Sequence, residues 1–471
     1  MRRPRSDDLK IVILGAGRVG ASVAESLVSE QNDITVIDTD GVRLAELQDR
    51  LDLRTVVGNA AQPSTLRAAG TDDADMVIAT TQSDETNLVA CHLAAQVFNV
   101  PTRIARVRAA DFQDNPELVG DGAFSVNHLI VPEKTVTDYV AKLVEFPEAL
   151  QVLEFAGGAA CLIAVRAHPG GLLVGKPIRD IKSHIPQIDS RIVAIFRGEG
   201  AVYPDGDTMI EPGDEVFVLA ATEHIRTVMT ELRKMDKPVR RVMLAGGGRI
   251  GMRLAQRLAG RIDVRIIEPD VKRCEQLAAM LPSNVLVLNG DATDEDLLEE
   301  ESVGEMDLFC ALTSDDEDNI MSSLLAKKMG ARRVIALINR RAYADLVEGG
   351  KIDIAIVPAQ ATIGELLAHV RRGDVAAVHS LRRGAAEALE AIAHGDPRSS
   401  KVVGRRIEQL DLPPGTTIGA IVRQAPGNRS EVIIAHHDTV IEPEDHVIVF
   451  VANKRMIPRV EKLFQVGVGF F

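Results

Sequence analysis

Short apolar runs alternate with amphipathic segments along the first hundred residues. The runs predict strands, and the segments between them carry apolar residues at helical spacing. The predicted strands are Lys10–Leu14, Ile34–Ile37, Arg54–Val57 and Met76–Ala79, and the predicted helices are Arg18–Ser29, Gly41–Arg50 and Asp84–Val97. Ser83 stands directly before the third helix, where it is a plausible N-cap. This alternation predicts a parallel sheet with helices on both faces.

A different pattern follows between residue 151 and about residue 234. Strands separated by Gly and Pro turns predict a small, separate α/β domain, its strands being Val152–Phe155, Cys161–Val165, Ile192–Phe196 and Val216–Leu219. Just before this domain, five apolar residues at helical spacing predict a helix with one apolar stripe: Val136, Tyr139, Val140, Leu143 and Val144. The stripe either packs on its own sheet or forms a subunit interface.

The whole pattern occurs twice. Gly15–Gly20 returns as Gly246–Gly251, 231 residues later, and Asp207–Asp214 returns as Asp438–Asp445 at the same offset. The segments Thr81–Asn87 and Thr313–Asn319 also correspond. We therefore predict an α/β protein with two tandem Rossmann-like parallel-sheet domains, each followed by a small α/β domain. The Rossmann-like domains cover residues 8–131 and 240–357 and the small domains residues 151–235 and 376–462, with the halves joined through residues 234–238.

Composition excludes several classes of protein. Lys and Arg number 54 against 68 Asp and Glu, and the chain has 3 Tyr and no Trp, so we expect no nucleic-acid partner. The four cysteines are widely spaced, which fits a reducing compartment and gives no zinc or redox pair. The longest uncharged stretch, residues 86–102, is interrupted by polar residues, and no signal-peptide core follows the basic start. We expect a cytoplasmic protein.

The two glycine motifs carry the clearest chemistry. Each follows a predicted strand, opens a helix and precedes an acid at the end of the next strand, Asp38 or Glu268. In such motifs the first glycine makes the tight turn, the second lets a pyrophosphate approach the backbone and the third lets the helix pack closely. The acid would bind the adenosine ribose, which favours NAD or an adenine nucleotide over NADP. The alternative is a glycine turn that only packs its helix.

Further candidate residues surround these motifs. Thr81 and Gln82 follow the fourth strand, where they line the nucleotide site or form a polar capping loop, and Ser83 and Ser314 are capping candidates. Asp291 could reach the ribose in the second half, where the first half has Asn59. The full candidate set is Gly15, Ala16, Gly17, Arg18, Val19, Asp38, Thr81, Gln82 and Arg106 in the first half and Gly246, Gly247, Gly248, Arg249, Ile250, Glu268, Asp291 and Thr313 in the second. Arg18 and Arg249 either flank the phosphates or are solvated.

Residues for catalysis are not evident. The histidines are scattered along the chain. His436 and His437 lie in a strand-like segment, Val432–His437, outside the predicted nucleotide-binding crevice. No Ser-His-Asp arrangement, metal-ligand spacing or P-loop accompanies the glycines. We expect a sensor and not an enzyme; an NAD-dependent oxidoreductase and a purely structural scaffold are the alternatives.

The segments Leu14–Gly20, Ser83–Asn87 and Ile210–Val216, together with the duplicated layout, resemble the potassium-conductance regulator (RCK/KTN) family. The resemblance covers both halves and implies that the small domains are regulatory RCK C-terminal domains. It implies a regulatory subunit of a Trk-type potassium uptake system that binds NAD(H) and, in relatives, ATP or ADP. The implied partners are a TrkH/TrkG-like membrane potassium translocator and further copies of the chain in a homo-oligomeric ring, a tetramer or dimer of dimers. Such a subunit is peripheral on the inner face of the membrane. Arg106 matches a family position close to the ligand, whereas Asn59 and the ten-residue start depart from the family pattern.

Overall fold

The computed structural model describes residues 9–28, 32–120, 122–198, 200–234, 237–347, 350–370, 375–382, 386–425 and 429–466. The chain divides into two compact units. The first unit extends to Val136 and also includes Val357–His369, and the second comprises Thr137–Ile356 and the chain from Val370 onward.

The first sheet has six parallel strands in the order β3-β2-β1-β4-β5-β6. Its two central strands are apolar and buried on both faces from Ile11 to Leu14 and from Met76 to Ala79, as expected where helices cover both sides. The elements are β1 (Lys10–Leu14), α1 (Arg18–Val28), β2 (Asp33–Asp38), α2 (Gly41–Arg50), β3 (Arg54–Val57), α3 (Pro63–Ala68), β4 (Met76–Ala79), α4 (Asp84–Gln96), β5 (Thr102–Arg106), α5 (Ala110–Gln113), β6 (His128–Ile130) and α6 (Pro132–Glu145). The predicted strands and helices are confirmed to within a residue or two, and Ser29, the predicted end of α1, lies outside the described residues.

The first small domain is a five-stranded antiparallel sheet in the order β10-β9-β11-β8-β7. Its elements are β7 (Ala149–Phe155), β8 (Ala160–Arg166), α7 (Ile181–His184), β9 (Ser190–Arg197), β10 (Gly200–Val202), β11 (Glu215–Ala221) and α8 (Ile225–Leu232). The Asp214 carboxylate, 1% exposed, accepts hydrogen bonds from Arg197 Nε at 2.8 Å and from the Glu211 amide at 2.8 Å. The buried Asp214 carboxylate therefore holds the turn that precedes β11.

The second half repeats this order. Its elements are β12 (Arg241–Ala245), α9 (Arg249–Leu258), β13 (Asp263–Glu268), α10 (Val271–Met280), β14 (Val285–Asn289), α11 (Glu295–Glu300), β15 (Leu308–Ala311), α12 (Asp316–Lys328), β16 (Val334–Leu337), α13 (Arg341–Val347), β17 (Ile354–Ile356), α14 (Pro358–Val370), β18 (Val375–Leu381), β19 (Ala386–Ile392), β20 (Thr416–Ala425), β21 (Arg429–Ile434), β22 (His446–Val451) and α15 (Ile457–Phe464). The parallel sheet has the order β14-β13-β12-β15-β16-β17 and the small sheet β18-β19-β22-β20-β21. The prediction of two tandem Rossmann-like domains with small α/β domains is confirmed.

One strand of the sequence prediction ends at the wrong residue. Strand β21 ends at Ile434 and not at His437, because a turn begins there in which the His436 amide donates to Thr439 Oγ1 at 2.9 Å. The two small domains also pack against each other, a contact that the sequence analysis did not address. Their sheets share one core, in which a Cβ on Gly419 of β20 would come within 2.6 Å of Leu219 Cδ2 of β11.

The two helices that follow the parallel sheets find partners in the opposite half of the chain. In the first unit, Thr135 Oγ1 of α6 donates to Glu365 of α14 at 2.7 Å. In the second unit, Asp138 of α6 pairs with Arg257 of α9. Thr135 and Asp138 are polar residues outside the apolar stripe of α6, so the two alternatives for the stripe both stay open. None of the described helices is both long and apolar enough to span a bilayer.

Candidate nucleotide-binding sites

The first glycine turn is shaped by three glycines with different steric surroundings. Gly15 has φ +102°, and its amide donates to the Ile37 carbonyl at 2.7 Å, which closes the turn over the ends of β1 and β2. A Cβ on Gly20 would come within 1.9 Å of the Gly15 carbonyl oxygen, so the first turn of α1 needs a glycine there. A Cβ on Gly17 would meet nothing within 4 Å. The loop therefore has open space at the one glycine where a pyrophosphate would approach the backbone.

The acid after β2 is tied to this loop. The Asp38 carboxylate accepts from the Ala16 amide at 2.6 Å through Oδ2 and from the Asp40 amide at 2.9 Å through Oδ1. Each carboxylate oxygen has two lone pairs, so both oxygens keep acceptor capacity for a ribose hydroxyl. Asp38 thus shapes the loop and faces the crevice side of β2.

Thr81 adjoins the glycine turn, because a Cβ on Gly15 would lie 3.1 Å from the Thr81 backbone. Its hydroxyl donates to Asn87 Oδ1 at 2.7 Å, and the buried Asn87 also donates to the Arg106 carbonyl at 2.9 Å. Asp84 accepts from the Arg108 amide at 2.9 Å and so holds the loop after β5. The buried Asn87 and the half-buried Asp84 were missed as site residues in the sequence analysis, although both recur in the second half as Asn319 and Asp316.

The second half builds the same turn. Gly246 has φ +105°, a Cβ on Gly251 would come within 2.0 Å of the Gly246 oxygen, and a Cβ on Gly248 would meet nothing within 4 Å. Glu268 accepts from the Gly247 amide at 2.8 Å. The Thr313 hydroxyl donates to Asn319 Oδ1 at 2.8 Å, and Asn319 donates to the Leu337 carbonyl at 2.8 Å. Both crevices thus share one backbone design.

The two crevices differ in charge. Asp291, Asp315 and Asp318 in the second half occupy the positions of Asn59, Ser83 and Thr86 in the first. Hydrogen bonds from the amide and hydroxyl of Thr293 lower the pKa of Asp291, whereas burial and the neighbouring Asp315 raise the pKa of Asp318.

The residues that cap the helices after β4 and β15 also differ between the two halves. In the first half Ser83 Oγ accepts from the Thr86 amide at 3.1 Å, as predicted. In the second half the cap of α12 is Asp315, which accepts from the Asp318 amide at 3.0 Å. The expected cap Ser314 is wrong, because Asp315 and not Ser314 occupies the position that corresponds to Ser83.

The remaining candidate residues lie near the glycine turns, in the first turn of a helix or at or beyond the end of a strand. Arg18 and Arg249 open their helices with exposed side chains, and Val19 and Ile250 follow them in the first turn. The Gln82 carbonyl accepts from Arg108, and the Gln82 side chain is exposed. Arg106 ends β5, where the second half has Leu337. Asp291 is exposed beyond β14 and engaged in its own turn. Within the described part of the chain, no group of three or more His, Cys, Asp or Glu could hold a metal ion.

Comparison with known proteins places this geometry in a family. The TrkA-N domain matches residues 11–132 and 242–358, and the TrkA-C domain matches residues 162–233 and 396–465. This chain belongs to the TrkA family. A TrkA-family relative, the Trk system potassium uptake protein TrkA of Halomonas elongata, is 56% identical over 463 residues, which span 98% of this chain and 100% of the relative. The protein of the same name from Vibrio alginolyticus is 53% identical over 458 residues, 97% of this chain and 99% of its own.

Solved structures share the fold of this TrkA-family chain. The RCK domain of GsuK superimposes with a TM-score of 0.60 at 16% identity and covers 98% of this chain and 96% of its own. The GsuK channel bound to NAD has the same TM-score and identity and covers 98% of this chain and 80% of its own. The TrkA-family relatives named above are named for potassium uptake and not for a chemical reaction.

Proposed function

We propose that this chain is the nucleotide-sensing regulatory subunit of a Trk-type potassium uptake system, and that its glycine turns bind NAD(H), with ATP or ADP as further ligands. The observation that carries the proposal is the open space at Gly17 and Gly248. Each lies at the start of a helix, where backbone amides favour an anion. The other two glycines of each motif lie against neighbouring backbone atoms. The glycine that faces open space is therefore the one that a ligand can approach. An NAD-bound structural neighbour and membership of a potassium uptake family support the same assignment.

The acid of each crevice selects the nucleotide. Asp38 and Glu268 offer their remaining lone pairs to the ribose hydroxyls of an adenosine, and a 2′-phosphate would meet an uncompensated like charge. NAD(H) is therefore favoured over NADP(H). The second crevice has the additional carboxylates Asp315 and Asp318 beside it. Their negative charge should lower its affinity for an anionic ligand relative to that of the first crevice.

Regulation would act through linkage. A nucleotide that binds one conformation of the subunit more tightly shifts the population toward it, and only that differential affinity can work on a partner. The partner in this proposal is a membrane potassium translocator, contacted from the cytoplasmic side by a homo-oligomeric ring of these chains. The name of the system in the relatives supports such a partner.

The binding proposal is tested by calorimetric titration of NADH into the full-length protein. Gly17→Asp and Gly248→Asp place a carboxylate in each open space, and each should abolish binding at its own turn while the chain stays folded. Gly206→Asp, in an exposed turn of the first small domain, adds the same charge and should leave affinity unchanged. Wild-type affinity at both sites in the Gly17→Asp and Gly248→Asp proteins would contradict the assignment.

The gating proposal needs the partner in liposomes. Potassium flux should respond to NADH with the wild-type chain and lose part of that response with Gly17→Asp. If the preparation binds NADH but its potassium flux is the same with and without NADH, the gating proposal is contradicted. Oxidation of NADH by the purified protein with a small carbonyl would instead support the oxidoreductase alternative.

A further inference from the structure

The helix that follows the acid contacts the glycine turn differently in the two halves. In the second half, a Cβ on Gly247 would come within 2.3 Å of Leu277 Cδ1 of α10. The first half has Ala16, a residue that carries a Cβ, at the corresponding position of its turn. At the second turn the side chain of Leu277 therefore fills the space that the Ala16 methyl group occupies at the first.

Arg273, in the first turn of α10, adds a direct bond to this contact. Its side chain is half-buried, its Nε donates to the Gly247 carbonyl at 2.9 Å, and its Nη1 donates to Gln276 Oε1 at 3.1 Å. The Glu268 carboxylate accepts from the amide of the same glycine at 2.8 Å. The acid of the second crevice and the guanidinium of Arg273 thus meet on one residue of the glycine turn.

The corresponding arginine of the first half, Arg43, is used differently. Both arginines donate a backbone amide to the aspartate that caps their helix, Arg43 to Asp40 at 3.2 Å and Arg273 to Asp270 at 3.1 Å. The Arg43 guanidinium also pairs with Asp40, with 3.2 Å between Nε and Oδ2, and its side chain is 52% exposed. The Arg273 guanidinium instead extends to the glycine turn. The two caps are therefore alike, and the position of the guanidinium differs.

The charge of Arg273 has no carboxylate in ion-pairing contact with it among the residues that the structure describes. Its Nη2 lies 3.6 Å from the sulfur of Met252, which is a weak acceptor. Glu268 is held by two backbone amides, those of Gly247 at 2.8 Å and Asp270 at 3.1 Å. A half-buried cation with donors to spare, next to the acid proposed to bind ribose, favours an anionic group of the ligand at this place.

We propose that Arg273 binds the 2′-phosphate of NADP(H) at the second turn and is a specificity-determining residue of that site. This inference rests on the proposed function, because it needs a dinucleotide whose adenosine ribose faces Glu268. The acid disfavours a 2′-phosphate at both turns, but an arginine beside the acid can accommodate one. The planar guanidinium suits this role, since it matches phosphate oxygens in paired hydrogen bonds. The two sites should therefore differ in how strongly they discriminate between NAD(H) and NADP(H).

Calorimetric titration of NADH and of NADPH into full-length single-site variants tests this difference. Gly17→Asp leaves the second turn available, and Gly248→Asp leaves the first. We expect the ratio of the NADPH dissociation constant to the NADH dissociation constant to be roughly tenfold or more smaller at the second turn than at the first. Because the additional contact is ionic, the difference between the turns should shrink as salt is added.

Substitutions of the two arginines locate the effect. In the Gly17→Asp background, Arg273→Gln should weaken NADPH binding by roughly tenfold or more and change NADH binding by less than about threefold. Arg273→Lys keeps the charge and should retain part of the NADPH affinity. Arg43→Gln in the Gly248→Asp background is the matched control, and it should leave both affinities unchanged.

The proposal is overturned if the two turns discriminate equally between NADH and NADPH. It is also overturned if Arg273→Gln loses NADH and NADPH affinity to the same extent, because Arg273 would then only shape the turn. Comparison of the two turns in proteins that keep Arg273 leaves the test valid if Arg273→Gln does not fold. Absence of NADH binding in both single-site variants would contradict the proposed function itself, and this inference with it.

Discussion

Two glycines of one loop, Gly17 and Gly20, face opposite steric demands. Around Gly20 the chain is so close that any side chain would collide with the Gly15 carbonyl, whereas Gly17 faces open space. Folding requires a glycine only at position 20. A glycine at position 17 is required only if a ligand occupies the open space. Stability and ligand binding are therefore separable within three residues.

We expect Gly20→Ala to lower the free energy of unfolding by about 1–3 kcal/mol or more, because the Cβ must displace backbone. Gly17→Ala should change it by less than about 1 kcal/mol. Urea denaturation of both proteins measures the difference. Equal destabilisation by the two substitutions would show that the loop differs from the one described.

A second prediction at this scale concerns Asp214, which is 1% exposed and paired with Arg197. Asp214→Ala should lower the free energy of unfolding by about 1–3 kcal/mol, because it removes the buried carboxylate that accepts from Arg197 Nε and from the Glu211 amide. Asp207→Ala is the matched control, since it removes an exposed pair with Arg179 worth less than about 1 kcal/mol. Chemical denaturation should separate the two variants clearly, and similar losses would contradict the structural role of Asp214.

At the scale of elements, β6 and α14 meet in the first unit through stacked imidazoles. The rings of His128 and His369 lie 3.7 Å apart and are inclined by 13°. Burial lowers the pKa of both, and together with the neighbouring His128 it brings the pKa of His369 to about 4. Glu365, the one acidic residue of α14, accepts a hydrogen bond from Thr135. The contact therefore requires neutral rings.

This arrangement gives a pH dependence of defined sign. An unfolded histidine takes up its proton near pH 6.5, whereas the folded pair resists protonation, so the unfolded state binds more protons between about pH 6.5 and pH 4. The free energy of unfolding should fall as the pH falls through that window, by roughly 1 kcal/mol at pH 5 after allowance for solvent around the partly exposed ring. His369→Phe should flatten the dependence when unfolding is measured at pH 7.5 and pH 5. His224→Gln, an exposed control, should not.

The elements were more predictable from the sequence than their contacts. Apolar runs such as Met76–Ala79 are buried on both faces, and their periodicity alone fixed the strand bounds. The positions of the glycines and of Asp38 followed from motif chemistry. The roles of Asn87 and Asp84 did not, because a buried polar residue in a helix reads like any solvated one until its distant partners on β5 are known. The shared core of the small sheets was also hidden, since alternation along a strand does not say which sheet covers it.

At the scale of the whole molecule, the two nucleotide turns lie in different units, yet both units share continuous helices. Helix α6 leaves the first unit at Val136, and α14 leaves it at His369. The two turns thus belong to one continuous chain and differ in the charge of their surroundings.

We predict that the two nucleotide sites are coupled. Blocking the second turn with Gly248→Asp should change the NADH affinity of the first turn by at least severalfold, because allosteric coupling typically amounts to about 1–3 kcal/mol. Two-site calorimetry of the wild type and one-site calorimetry of the variant give the comparison, with Gly206→Asp as the control for charge. Identical first-site affinity in all three proteins would show that the halves act independently.

The exchange of α6 and α14 bears on the ancestry of the chain. A half-length protein with one parallel sheet and one small sheet would expose the surface that Leu219 and Gly419 now close, and it would lack the helix that supplies His369. Such an ancestor could cover these surfaces only with a second copy of itself, and its stability would have risen and fallen with protein concentration. In the present chain both small sheets belong to one polypeptide, so their pairing does not depend on protein concentration.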